Sequence, residues 1–75
     1  MLITYDSEAD ILYIELRHAP AADSVDVEEG VTAALDESGH IVGLEILDAS
    51  QRLGKEQLRS VTLKDLAWEP ADLKA

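Results

Sequence analysis

The sequence predicts an α+β fold, a small antiparallel β-meander sheet of four to five strands followed by a short helical C-terminal segment. Three observations predict it. Before residue 48, apolar and polar residues alternate with a period of two through several short runs. Clusters of Asp, Ser, Glu, Gly and Pro separate those runs. After residue 48 the alternation stops and helix-capping chemistry replaces it. With 75 residues the chain is read as one domain over 1–75, with the sheet in 1–48 and a helical or mixed segment in 49–75.

Leu2 to Tyr5 is a short β-prone run, closed by the turn-like string Asp6-Ser7-Glu8-Ala9-Asp10. Ile11 to Arg17 follows, with Leu12, Ile14 and Leu16 on one face and Ile11, Tyr13, Glu15 and Arg17 on the other. A helix would accommodate this run too, but its shortness and flanking turn signals favour a strand. His18 to Asp23 reads as a loop, because Pro20 cannot continue a ladder. Ser24 to Glu28 alternates cleanly, with Val25 and Val27 facing in, and reads as an edge or half-exposed strand. In an unbroken strand Asp26 and Glu28 share one side, roughly 6.5–7 Å apart.

Glu29-Gly30 breaks the pattern before Val31 to Leu35. Asp36-Glu37-Ser38-Gly39 reads as a four-residue hairpin loop around a type I turn, with Gly39 supplying the positive φ. His40 to Leu47 completes the hairpin, with Val42, Leu44 and Ile46 matched by Val31, Ala33 and Leu35. The expected core is Leu12, Ile14, Leu16, Val25, Val27, Val31, Leu35, Val42, Leu44 and Ile46. A second apolar side is expected from Ile3, Tyr5, Ile11, Tyr13, Ile41 and Leu47. Beyond the sheet, Asp48 or Ser50 can cap a helix start, and Gln51 to Leu53 forms a turn that Gly54 ends. Lys55 to Arg59 suggests a second turn. Val61 to Leu63 fits either a final strand or a helix start, with Thr62 capping a helix that Pro70 stops. Ala71 to Ala75 is expected to fray.

Charge narrows the function classes. Sixteen acids against six bases give a net charge of −10. Residues 1–48 hold twelve of the acids and one base, Arg17, whereas residues 49–75 hold four acids and five bases. The N-terminal part therefore repels a phosphate backbone, which argues against nucleic-acid binding. It attracts a basic protein surface in a salt-dependent way, or it serves solubility alone. With no cysteine, disulfides and thiolate ligands are excluded, and a reducing compartment fits. No apolar stretch reaches the roughly 20 residues of a bilayer span, and no signal-peptide pattern opens the chain. A cytoplasmic protein with no membrane contact is expected. So short a chain buries only about 60% of its unfolded surface, and oligomerisation is a common remedy.

No constellation in the sequence carries chemistry. Asp6, Glu8 and Asp10 have the spacing that opens a calcium loop, but the positions needing glycine and a bidentate acid are Ile11 and Arg17. Turn closure by Asp6 and Asp10 through backbone amides is the expected role. His18 and His40 lack relay partners at suggestive spacing, and no serine stands in a glycine-flanked elbow. No catalytic residue, cofactor or metal is expected, and the chain is read as a non-enzyme. Trp68 caps the core or anchors a partner. A homodimer is expected, with Leu58, Leu63, Leu66 and Trp68 as its interface candidates.

Four blocks carry a family likeness: Ile3 to Asp6, Ala9 to Ile14, Asp36 to Gly39, and Ile41 to Ser50. Together they resemble the bacterial domain-of-unknown-function family numbered twenty-two eighty-three, over about residues 1–53. Ser7 departs from the proline frequent there, which affects only turn stiffness. The resemblance implies a β-rich domain with no assigned activity and brings no catalytic residues. It also implies company with small toxin-like proteins encoded nearby, hence an antitoxin-like role. The expected function is an acidic protein-interaction module for a basic protein. The alternative is a structural homo-oligomer whose acidic surface serves solubility.

Overall fold

A computed structural model describes residues 1–65 of the chain. Its strands are β1 (Leu2–Asp6), β2 (Ile11–Glu15), β3 (Asp23–Glu28), β4 (Val31–Leu35) and β5 (Ile41–Leu47). The helix α1 (Ala49–Leu53) and a 3₁₀ turn, Gln57–Arg59, follow. Every strand pair is antiparallel, in the order β1-β2-β5-β4-β3. The expected α+β class is the one observed. Its connectivity is a three-strand meander, β3–β4–β5, to which the β1–β2 hairpin adds on the β5 side. Neither a strand nor a helix forms over residues 61–65.

Short polar side chains shape the turns. Asp6 Oδ1 accepts the backbone N–H groups of Glu8 (3.0 Å) and Ala9 (3.2 Å), closing the β1–β2 turn. Asp36 Oδ1 does the same for Ser38 and His40, both at 2.9 Å, while Gly39 takes φ +83° in the β4–β5 hairpin. The β2–β3 connection passes the end of that hairpin. There Leu16 donates to the Val42 carbonyl and Ala22 to that of Leu35, both at 2.8 Å. The Arg17 guanidinium pairs with Asp36 at the same corner.

Register sorts the side chains into cross-strand rows, because directly paired residues share a face. One row runs Ile3, Ile14, Leu44, Ala33, Val25 across all five strands, and the next runs Tyr5, Leu12, Ile46, Val31, Glu28. The opposite face carries Thr4, Tyr13, Glu45, Thr32, Asp26. Bulges at Val27 and Val42 interrupt the alternation.

Several expectations are corrected by this register. Ile3 and Tyr5 lie on the same face as Leu12 and Ile14, and Ile41 pairs with Leu35, so the second apolar side reduces to Ile11, Tyr13 and Leu47. The bulge puts Asp26 and Glu28 on opposite faces, so they form no pair. Of the expected core only Val42 is fully buried, joined by Ala33 and Ala49. Leu16, Val25 and Val27 are exposed, and the other six are half-buried. The cause is that, among the described residues, a single-layer sheet has only α1 and the 3₁₀ turn laid against part of one face.

Candidate functional site

The apolar face is the most distinctive surface of the described residues. Its rows are nearly free of charge, whereas three acids, Asp23, Asp26 and Glu28, stand in β3 at one border. Towards β1 the face opens into a groove of about 390 Å³, with Ile3, Tyr5, Leu12 and Ile14 on the sheet side and Leu53 and Leu58 on the other. Ile3 (37%), Tyr5 (40%) and Leu53 (39%) remain accessible there, as does Val25 (43%) at the far edge. Apolar area is thus left accessible at both edges of the face, among the described residues.

A hydrogen-bonded hub fixes the groove's upper rim. Asp10 sits in the left-handed region at φ 58°, at the end of the β1–β2 turn. Its Oδ1 accepts the Tyr5 hydroxyl at 2.6 Å and the Ser50 N–H at 2.9 Å, and its Oδ2 accepts the Ser50 hydroxyl at 2.7 Å. The Asp10 carbonyl accepts the Ala49 N–H at 3.0 Å. Asp10 therefore caps α1 from another part of the chain. This corrects two expectations. Asp10 does not close its own turn through backbone amides, and Asp48 supplies no side-chain cap, because its φ of 52° is not a capping conformation. The Tyr5 hydroxyl, with the two Ser50 donors next, lowers the Asp10 pKa from its ordinary value. The same bond to Asp10 raises that of Tyr5.

The hub's chemistry is that of a brace. Both hydroxyls already donate to Asp10, and a carboxylate held ionised by three donors is a weak proton acceptor. A neighbouring cavity of about 460 Å³ brings Lys55 and Arg59 near it, and Arg59 is paired with Glu56 at 3.8 Å. His40 is exposed, its backbone held by Asp36, and His18 lies 3.7 Å from Glu15. Among the described residues no three His, Asp or Glu side chains converge as metal ligands. No helix there is long and apolar enough to cross a membrane.

Of the interface candidates, Leu58 is half-buried in the groove wall, whereas Leu63 is 66% exposed and lies outside it. Leu66 and Trp68 lie outside the described residues. Two of the groove's sheet-side residues, Ile3 and Tyr5, lie on the face opposite to the one the sequence reading expects. The strict two-residue alternation of β1 with β2 was the available signal, once the two runs are folded about the Asp6–Asp10 turn.

No curated protein and no solved structure matches the chain. A family model does, the protein of unknown function family DUF2283, over residues 2–50. That span runs from the start of β1 to Ser50, so it contains the whole sheet and both ends of the Asp10–Ser50 brace. The chain belongs to the DUF2283 family.

Proposed function

We propose that this protein is a protein-interaction module whose apolar sheet face docks a partner carrying an apolar ridge flanked by basic residues, in the manner of an antitoxin. It acts by binding and is not an enzyme. One observation carries the reading: the row Ile3, Ile14, Leu44, Ala33, Val25 crosses the full sheet and ends accessible at both edges. The acids of β3 lie beside one end of that row, and Arg52, 3.2 Å from Glu28, offsets only part of their charge. Acidic borders steer and select basic partners.

The test is co-expression of the tagged full chain with the products of neighbouring genes, followed by purification at low and high salt. A basic protein should be retained, released progressively by salt, and lost with Val25→Glu but not with Thr32→Glu on the opposite face. Retention indifferent to both salt and Val25→Glu would sink the proposal. A second reading, a structural homo-oligomer, is favoured by the small number of fully buried side chains among the described residues, which a second copy would supplement.

A further inference from the structure

The two edges of the sheet are finished differently. β3 carries Asp23, Asp26 and Glu28 together with the bulge at Val27. Charge and bulging are both devices that stop a further strand from pairing. β1 has neither. Its five residues, Leu2-Ile3-Thr4-Tyr5-Asp6, pair with β2 one for one, with no proline, no glycine and a single charge at the end. All five are exposed, and among the described residues no strand lies on their outer side.

We propose that β1 is the seam of a twofold-symmetric homodimer, in which the β1 strands of two copies pair antiparallel and join two sheets into one. The register centres on Thr4, the middle residue, so that the full strand is used. Thr4 then lies opposite Thr4 of the second copy, Ile3 opposite Tyr5, and Leu2 opposite Asp6. The strand is complementary to itself in this register. The Ile3–Tyr5 contact occurs twice, on the apolar face, and β-branched with aromatic is a favourable cross-strand pair. The two Asp6 residues fall at opposite ends, roughly 14 Å apart along the strands. That exceeds the screening length of about 8 Å at physiological salt, so the only charge in the strand scarcely opposes pairing. β3 paired with itself would instead bring its three acids together.

An isologous contact of this kind closes after two copies. It also lays the two apolar faces side by side, with Ile3 and Tyr5 of both copies bridging them. This contact uses backbone at a sheet edge and is separate from docking on the apolar face. Thr4 is paired with Tyr13 on the opposite face from Ile14, so the two surfaces can be altered separately.

Sedimentation equilibrium of the full chain at about 0.1 mM tests it. The expected mass is twice 8.2 kDa. Thr4→Lys and Thr4→Glu each place like charges on the twofold axis and should each weaken self-association at least about tenfold. Mixing the two variants in equal amounts should restore the dimer, because Lys then faces Glu. With no native cysteine, Thr4→Cys should oxidise to a linked dimer, and Ser24→Cys on the β3 edge should not. The Thr4→Cys result stands even where a charged variant folds poorly. A monomeric parent, a dimer that survives both charged variants, a mixture that stays monomeric, or equal crosslinking from the two edges would each overturn the proposal.

Discussion

Asp10 and Tyr5 give acid and alkaline stability one shared origin. The hydrogen bond from Tyr5, reinforced by Ser50, favours ionised Asp10 in the folded state, so its folded pKa lies below the unfolded value of about 3.9. That contribution is complete above the unfolded pKa and disappears as pH falls through the folded one. Tyr5 has the opposite sign. Its pKa is raised by donation to Asp10, so its contribution holds below about 10 and is lost as pH rises through the folded value. Melting temperatures measured against pH should show Asp10→Asn flattening the acid limb and Tyr5→Phe flattening the alkaline limb. Asp36, its pKa lowered chiefly by the His40 amide, maintains a residual acid limb in Asp10→Asn. An unchanged acid limb in that variant would remove Asp10 from the account. Such side chains differ in how legible they are. Asp6, Asp36 and Gly39 act within a few residues of themselves, and turn chemistry exposes them. Asp10 finds Ser50 forty positions away, and no local pattern announces that.

A five-residue helix is too short to hold itself, so α1 depends on its ends. Asp10 secures the first turn. Arg52 secures the last by donating to the Glu29 carbonyl and pairing with Glu28, which ties α1 to the β3–β4 turn. The guanidinium crosses directly over Gly30, where φ is +82° and a Cβ would collide with Arg52. Gly30→Ala should therefore cost at least about 1 kcal/mol from backbone conformation alone. It should also loosen α1, read as faster amide exchange at Arg52 and Leu53. Unaltered exchange with an unaltered melt would show that the contact does nothing. The strands themselves were legible, since alternation and turn residues located all five to within two residues. The bulges were not. An extra residue at Val27 or Val42 leaves the apolar spelling intact while shifting what lies opposite, so Glu28 and Ile41 lie on the faces opposite to those simple alternation predicts.

The molecule couples an apolar face that its described residues cover only in part to a net charge of −10, and salt acts on these two in opposite directions. Two copies repel one another, so self-association should strengthen as ionic strength rises. A basic partner is attracted, so its binding should weaken over the same range. Following both by sedimentation across a salt series separates the two modes, and a dimer weakened by salt would contradict the first. The sheet as a class was legible because composition, period and turns agreed. How much of the apolar face is covered was not, because that depends on where α1 comes to rest, and Asp10 of the first turn holds it there.

The order β1-β2-β5-β4-β3 has a consequence for how the chain is made. β5 is the middle strand, yet it is the last of the five to be synthesised. Ile14 must wait for Leu44, thirty positions later, before the inner edge of its hairpin is covered. Until then β2 presents an unpaired edge on both a nascent and a refolding chain. The local meander β3–β4–β5 needs no such delay, so non-local closure of β2 on β5 is the step with the largest loop-closure cost. In the same open interval both edges of the β1–β2 hairpin are exposed to pairing with the wrong neighbour.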